Sequence, residues 1–468
     1  MSLAEEVAGL VAAQARAAAG PCGAERLAGH MLAHLLLEGR HCVTGLLREL
    51  GREDRDWTRD YGIYLDTDAR ALFLPVIEGV LDLLGPEADL VLVADDTCLD
   101  KTGRRIHGAG WHRDAKGPGF HTNLIWGQRV LQISAAVPDP AQPRQAICVP
   151  VALALIPKLP KAPAGASDEA LAEHRRLAED NTPVRHAGRL LRSIRDLPCL
   201  RGRRVRVAAD GEYSNGPMLG DLPPDTVYVG RARWDLHLHA LPPARPAGRA
   251  GRPAAYGPRL PTPEEVRKDR SVPWSEMKLR GARRNASVRY KRMEAVRWPA
   301  LGADHTVQIL VLAGFRFRPR KGDPYRYRKP VCLICTDPDL SPEEVVRTYF
   351  CRWGIEVNFR DQKQFLGMGQ AQVRRPGSVL AAPAAAVAAY AALLLAGLRV
   401  YGVGGRPPSV RAPRWYPRKA AMRATTTDLL EQFRAEVRRR GAGDLARLVR
   451  TGGPARPPAN PSAQHQAA

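Results

Sequence analysis

Two short apolar runs that each end in acidic residues constrain the fold of this chain more than any other feature. Residues 88–96 read ADLVLVADD, and residues 204–210 read RVRVAAD. Short apolar runs that contain several Val residues and lie between turn signals are typical of buried strands. Helical patterns at about residues 167–195 separate the two runs. Strand, helix and strand in this order predict an α/β sheet in which acidic groups follow two buried strands.

The pattern along the chain predicts four parts. Residues 1–85 read as helical, and two short helices at about 24–38 and 42–50 are compatible either with a DNA-binding helix-turn-helix or with a plain helical cap on the core. The remaining parts are an α/β core at 86–215 and 337–402, a β-rich insertion at 216–336, and a basic tail at 403–468. The tail is predicted to hold one helix at 427–440 and to be disordered from about residue 452.

The charge of the chain favours a polyanionic partner. Lys and Arg number 71 against 48 Asp and Glu, which gives a formal net charge of +23. Such a surface attracts nucleic acid first and anionic membrane second. A genome rich in G and C explains an excess of Arg equally well, so the charge supports a nucleic-acid function without establishing it.

Cysteine usage and the N-terminal segment indicate a cytoplasmic protein. The eight cysteines are scattered through apolar segments, and MSLAEEVAGL lacks the features of a secretory signal. Cys332 and Cys335 form a CxxC in a strand-like run without a second pair nearby, so we predict buried thiols rather than a zinc site. Residues 379–398 are long enough to span a bilayer, but they are rich in Ala and contain Pro383, so we predict a buried core helix and no membrane association.

A helix is predicted from Ser341 to about Leu366. Ser341 and Glu344 have the spacing of a capping box, and Pro342 suits the first helical position. At about 100° per residue, four polar side chains of this helix fall within roughly 60° of one another: Tyr349, Arg352, Glu356 and Lys363. Spacing alone is also compatible with an exposed stripe containing an Arg352–Glu356 ion pair.

The spacing of these four residues resembles a family signature. Tyr, two residues, Arg, three residues, Glu, six residues, Lys is similar to the signature of DDE transposases of bacterial insertion sequences, in the group with a β-strand insertion. Trp353 and Ile355 also match the motif of that group. The resemblance spans roughly residues 88–400. It implies an RNase H-like catalytic core interrupted by the β-rich insertion and preceded by the helical N-terminal domain.

The resemblance implies three catalytic carboxylates. Asp96, followed by Thr97, fits the first acid, Asp210 fits the second, and Glu356 is the third. Neighbours in a strand point to opposite faces, so only one of Asp95 and Asp96 can belong to the site, and the Asp-Thr pair favours Asp96. The three carboxylates would bind two Mg²⁺ ions, for which Mn²⁺ can substitute.

Several basic and aromatic residues are expected to contact DNA. The resemblance implies that Arg352 and Lys363 contact phosphates near the cut and that Tyr349 contacts a terminal phosphate. Residues 280–297 hold seven Lys or Arg against one Glu and are a candidate DNA-tracking ribbon. The residues selected from this ribbon are Arg283, Arg284 and Lys291. Trp298 would stack on an unpaired base or pack in the core.

The resulting hypothesis is a transposase that cuts and joins the ends of its own insertion sequence. Its partners would be double-stranded DNA, both the terminal inverted repeats and the target, and a second copy of the chain in a homodimer on DNA. In the cell the enzyme would then be associated with the nucleoid. Two alternatives remain: another RNase H-like nuclease, and a non-catalytic DNA-binding protein derived from a transposase.

Overall fold

The fold is described from a computed structural model of the 468-residue chain. The structure describes residues 1–114, 117, 120, 123–139, 146–244, 254–279, 286–318, 322–408 and 423–440. The predicted disordered end from about residue 452 lies outside these ranges.

Within the described residues the strands are β1 Leu90–Asp100, β2 Gly110–Arg113, β3 Leu124–Pro138, β4 Ala146–Ile156, β5 Val205–Ala209, β6 Thr226–Arg231, β7 Ser275–Leu279, β8 Ala286–Val296, β9 Val307–Leu312, β10 Phe315–Phe317, β11 Arg326–Arg328 and β12 Val331–Cys335. The α-helices are α1 Leu3–Ala18, α2 Pro21–Leu36, α3 Val43–Glu49, α4 Thr58–Gly62, α5 Leu74–Leu84, α6 Asp168–Asp180, α7 Pro183–Arg195, α8 Gly216–Leu219, α9 Pro263–Lys268, α10 Pro342–Cys351, α11 Trp353–Phe365, α12 Pro376–Tyr401 and α13 Thr426–Arg440.

A large mixed sheet forms the centre of the molecule, as the α/β prediction required. In the described residues its order is β2-β3-β1-β5-β6-β12-β9-β8-β7, with β4 paired to β3. The neighbours β1, β5 and β6 are parallel, and the remaining pairs are antiparallel. The carboxyl ends of the three parallel strands therefore lie at one edge of the sheet, hereafter the carboxyl edge.

The strands of the predicted insertion continue this sheet. β6 pairs with β5, β12 pairs with β6, and β9, β8 and β7 follow in order. The predicted boundaries at residues 216 and 336 consequently do not separate two sheets. β10 and β11 form a two-stranded hairpin outside the large sheet.

The apolar segment at residues 379–398 is a core helix, as predicted. It forms most of α12, which is long and apolar enough to cross a membrane, yet 94% of its apolar window is buried by the rest of the chain. α1, α2, α5 and α13 pack against it. The N-terminal helices thus bury their apolar faces on α12, which corresponds to the helical-cap alternative.

The helix predicted over residues 341–366 is divided into α10 and α11. Ser341 caps α10 as expected, with its hydroxyl accepting the Glu344 N–H. Arg352 is a turn residue between the helices, where its N–H bonds to the Tyr349 carbonyl, three residues back, at 3.1 Å. Tyr349 therefore lies on α10, whereas Glu356 and Lys363 lie on α11.

Candidate active site at the carboxyl edge of the sheet

Asp95 and Asp210 are neighbours at the carboxyl edge. In the parallel pairing of β1 with β5, Ala94 lies beside Ala209. The residue that follows each of them is an aspartate, Asp95 and Asp210. Asp210 directly follows β5 and caps a short 3₁₀ turn, accepting the Gly211 N–H with its carboxylate. Asp95, which lies within β1, and Asp210, which follows β5, are therefore brought together.

Side-chain alternation directs Asp95 towards α11. Val91 and Val93 pack in one cluster with Ile355 and Phe359 of α11. Alternate residues of a strand share a face, so Asp95 faces the same helix. Its carboxylate lies 3.5 Å from the Arg352 guanidinium, between α10 and α11, which agrees with this orientation.

The same alternation directs Asp210 towards these helices. On β5, Arg206 donates to Glu344 of α10 at 2.8 Å, so the even-numbered residues of this strand face α10 and α11. Asp210 continues the even-numbered series immediately after the strand. The charge of Asp210 also contributes to the raised pKa of Asp95, as expected for neighbouring carboxylates.

Asp96, the first carboxylate of the sequence prediction, faces the opposite side of the sheet from Asp95. Its carboxylate accepts hydrogen bonds from the Tyr213 hydroxyl at 2.8 Å and from Arg129 Nε at 2.5 Å. Arg129 extends from there to Glu212 at 3.2 Å. The pairing of β1 with β3 is continuous from Val91 to Asp100, so no bulge exchanges the two faces at this point. Asp95, and not Asp96, shares a face with Glu356.

Arg352 connects Asp95 with Glu356. One of its terminal nitrogens donates to the Glu356 carboxylate at 2.6 Å, and the other lies 3.5 Å from Asp95. The Arg352 side chain is 15% exposed and that of Glu356 is 38% exposed, so the site opens to solvent on the Glu356 side. Burial opposes the charge of Arg352, but the surrounding Tyr349, Glu356 and Asp95 outweigh burial and raise its pKa.

Asp95 is electrostatically unusual. Burial raises its pKa to about 7. The charges of Asp96 and Asp210 act in the same direction, whereas the Asp96 N–H and the Arg352 guanidinium act against it. A buried carboxyl whose pKa is raised by burial and by neighbouring acids is typical of a functional site.

Lys363 and Tyr349 lie on the same side of the sheet. The Lys363 ammonium donates to the Thr97 hydroxyl and to the Cys98 carbonyl, both at 2.7 Å. Tyr349 is half-buried, and the Arg352 guanidinium lies 6.0 Å from the centre of its ring. Burial raises the pKa of Tyr349. The charges of Arg352 and Arg231 lower this pKa, and the charge of Asp210 raises it. All four signature residues therefore surround the edge at which Asp95 and Asp210 meet.

The residues predicted to form a DNA-tracking ribbon are placed differently. Lys291 is only 2% exposed, and its ammonium donates to the carbonyls of Val266 and Asp269 at 2.8 and 2.5 Å. It therefore holds the end of α9 against β8 and cannot reach DNA, which corrects that prediction. Trp298 is partly buried and packs against the main core, in line with its core-packing alternative. Arg283 and Arg284 lie outside the described residues.

The donor set suits a hard divalent cation, although its side chains are not gathered into a closed cage. Asp95, Asp210 and Glu356 offer carboxylate oxygens, the ligands that Mg²⁺ prefers. Among the described residues, no group of three acidic, His or Cys side chains is already close enough to hold an ion. Arg352 lies between two of the carboxylates and neutralises them. Its guanidinium would have to withdraw before a cation could take its place.

Two features of the structure were not predicted from the sequence, and only one of them lacked a local signal. The Arg129–Asp96–Tyr213 network joins residues far apart in the chain, and only the register of β1 with β3 and β5 brings them together. The hairpin of β10 and β11 did carry a signal, because residues 315–318 and 325–328 read FRFR and YRYR. Alternating aromatic and Arg residues at strand spacing could have identified it.

Comparison with known proteins gives one family match. The model of a family described as DDE superfamily endonuclease matches residues 35–300, more than half of the chain. The matched range includes Asp95, Asp96 and Asp210 and ends before Glu356. No curated protein matches the chain.

Proposed function

Because the chain belongs to the DDE superfamily of endonucleases, we propose that it is a DNA transposase that cuts and joins the ends of its own insertion sequence. The observation that carries this proposal is the common face of Asp95, Asp210 and Glu356, with Arg352 and Lys363 beside them. Three carboxylates beside two cations suit the chemistry of a phosphodiester better than that of a neutral substrate.

Asp95, Asp210 and Glu356 are proposed to hold two Mg²⁺ ions, for which Mn²⁺ can substitute. When bound, the pair would activate a water or a 3′-hydroxyl for attack on the phosphodiester and stabilise the leaving oxygen. Asp95 is the proposed first carboxylate in place of Asp96, because only Asp95 faces α11. The high pKa of Asp95 fits this role, since a buried carboxylate with few hydrogen bonds gains most from a cation.

The basic side chains Arg352 and Lys363 are proposed to bind the DNA. Arg352 neutralises Asp95 and Glu356 in the absence of substrate, and its planar guanidinium suits bidentate binding of a phosphate once it leaves them. Lys363 acts as a point charge beside Thr97 on the same face. Tyr349 presents its hydroxyl to a terminal phosphate next to Asp210.

The proposed partners follow from the reaction. The substrate is double-stranded DNA, with the terminal inverted repeats as donor and a second duplex as target. Joining two ends requires that both be held at once, so a homodimer on DNA is expected. The enzyme would act at the bacterial nucleoid in the cytoplasm.

The test is cleavage of a labelled duplex that carries the end sequence of the element, with Mg²⁺ or Mn²⁺. Wild type should cut at the end, whereas Asp95→Asn and Glu356→Ala should bind the duplex but cut at least about 10³-fold more slowly, since each removes a metal ligand. Asp96→Asn is the matched control, because it changes the adjacent carboxylate on the opposite face. It should retain cleavage at a temperature where it remains folded.

Two outcomes would overturn parts of the proposal. Loss of cleavage in folded Asp96→Asn with retention in Asp95→Asn would reverse the choice of first carboxylate. A wild-type protein that binds the duplex and cuts with neither metal would be a non-catalytic DNA-binding protein derived from a transposase.

A further inference from the structure

The hairpin of β10 and β11 is unusually rich in Arg and exposed aromatic residues. Residues 315–329 contain seven Lys or Arg and a single acidic residue, Asp323. Phe315, Tyr325 and Tyr327 are 51%, 62% and 61% exposed. Aromatic side chains normally bury most of their surface, so three exposed rings in one short hairpin indicate a surface that binds a partner.

Both faces of the hairpin combine the two residue types. The register places Phe315 opposite Arg328, Phe317 opposite Arg326, and Arg316 opposite Tyr327. The Arg328 guanidinium lies 5.4 Å from the centre of the Phe317 ring, and Arg318 lies 4.1 Å from that of Tyr325. These cation–π contacts hold the guanidinium groups of Arg318 and Arg328 close to the rings.

The arginines of the hairpin lack acidic partners within the part of the chain that the structure describes. Arg316, Arg318, Arg326 and Arg328 are all exposed and form no ion pair there. Many other arginines are paired, for example Arg267 with Glu264, Arg292 with Glu294 and Arg347 with Glu343. The hairpin therefore presents positive charge that the acidic groups of the described ranges do not neutralise, and a polyanion would complement it.

The hairpin projects from the carboxyl edge of the sheet. β9 ends at Leu312 and β12 begins at Val331, and these two residues are paired. β12 is antiparallel to β6, so its first residue lies at the edge where β1, β5 and β6 end. β12 is two strands away from β5, a lateral distance of about 10 Å. The hairpin is thus close enough to contact DNA held at Asp95 and Asp210.

We infer that this hairpin is a DNA-binding ribbon that grips the duplex beside the active site. A two-stranded ribbon fits the major groove of B-DNA, and the exposed arginines can reach the phosphates on either side of it. The tyrosine rings contribute apolar contact with sugars and base edges. The inference rests on the proposed function in that DNA is the substrate, and it adds a binding element separate from the catalytic carboxylates.

The experiment measures binding of a fluorescent duplex by anisotropy, without divalent metal, between about 50 and 200 mM salt. Each phosphate contact contributes about a 3.5-fold fall in affinity over this range. Arg326→Ala/Arg328→Ala should bind several-fold more weakly at low salt, and its affinity should fall about 12-fold less than that of wild type across the range. Arg201→Ala is the control for the loss of one positive charge elsewhere, because Arg201 is an exposed cation just before β5, at the opposite edge of the sheet. It should bind as wild type does.

Equal salt dependence in the double variant and in wild type, with the same melting temperature, would overturn the inference. A loss of affinity in the Arg201→Ala control that is half that of the double variant or more, on a logarithmic scale, would also overturn it, since the effect would then be one of net charge. If the double variant loses affinity for single-stranded RNA but keeps the affinity of wild type for duplex DNA, the partner is RNA and the inference is wrong. Failure of wild type to cut DNA would contradict the proposed function alone, because this assay measures binding without catalysis.

Discussion

Asp95 and Asp96 are chemically identical neighbours, yet their surroundings give them different properties. Asp96 is held by a tyrosine hydroxyl and a guanidinium on one side of the sheet. Asp95 is buried on the other side with Arg352 as its cationic neighbour, and burial raises its pKa to about 7. Burial therefore opposes the charge of Asp95, whereas the carboxylate of Asp96 has two hydrogen-bond donors.

The first prediction concerns Asp95 and pH. The pKa of Asp95 is about 7 in the folded chain and roughly 3.9 in the unfolded chain, so the folded state binds the proton more tightly. Stability should therefore fall as pH rises from about 4 to 7, and the loss should persist above pH 7. Asp95→Asn should remove this contribution and be more stable than wild type at pH 8 in EDTA, by at least about 1 kcal/mol. Urea unfolding at pH 5 and pH 8 measures the difference, and a variant less stable than wild type at pH 8 would contradict it.

A second prediction concerns the hydroxyl that holds Asp96. Tyr213→Phe removes a hydrogen bond to a carboxylate and should destabilise the fold by about 1.5–3 kcal/mol. Tyr228→Phe is the control for neutral partners, because Tyr228 is equally buried but its hydroxyl contacts the Ser214 hydroxyl at 3.0 Å and the Asp210 backbone carbonyl at 3.3 Å. Tyr228→Phe should lower the free energy of unfolding by about 0.5–1.5 kcal/mol. Thermal or urea unfolding compares the two, and equal costs would show that the charge of Asp96 is unimportant at this contact.

At the scale of elements, local patterns in the sequence located the main parts of the site. The two buried strands, the Ser341 cap and the core helix α12 were all predicted, because apolar periodicity and capping depend on residues close in sequence. The end of the first strand was predicted wrongly: β1 continues to Asp100, because its pairing with β3 extends past the two acids. The choice between Asp95 and Asp96 could not be made in this way, since it depends on which face of β1 meets α11. The break at Arg352 and the burial of Lys291 likewise follow from tertiary contacts. Lys291 would have been recognised as structural only from its contacts with α9.

The third prediction tests the cap that sets the start of α10. The Ser341 hydroxyl accepts the Glu344 N–H and donates to the Glu344 carboxylate. Ser341→Ala should cost about 1 kcal/mol of stability, because Val345 and Val346 of α10 are fully buried and couple the helix to the sheet. Ser167→Ala removes the corresponding cap of α6, which buries no residue, and it should shift global stability much less. A larger effect at Ser167 in urea unfolding would show that the coupling of α10 to the sheet is weak.

At the scale of the whole molecule, both ends of the described chain are attached to the helix that forms its core. Glu436 of α13 accepts the N–H of Ala4 in α1, and Gln14 of α1 donates to the Ala388 carbonyl of α12. Arg399 of α12 pairs with Glu6 at 2.7 Å. The candidate active site is therefore carried on a sheet whose supporting helices come from opposite ends of the described chain. The helix α13, which the sequence placed in a basic tail, is part of the fold.

The last prediction follows from this attachment. Phe433 of α13 is fully buried in the main core together with Leu429, Leu430 and Val437. Phe433→Ala should destabilise the protein by about 3–5 kcal/mol, because it removes a buried ring and leaves a cavity between α13 and its neighbours. Phe315→Ala removes the same ring from the exposed β10–β11 hairpin and should change stability by less than about 1 kcal/mol. The two variants should therefore separate fold from binding, with Phe433→Ala lowering the unfolding midpoint in urea and Phe315→Ala leaving it nearly unchanged. Near-equal unfolding midpoints of the two variants would mean that α13 contributes little to the stability of the core, which would contradict the prediction.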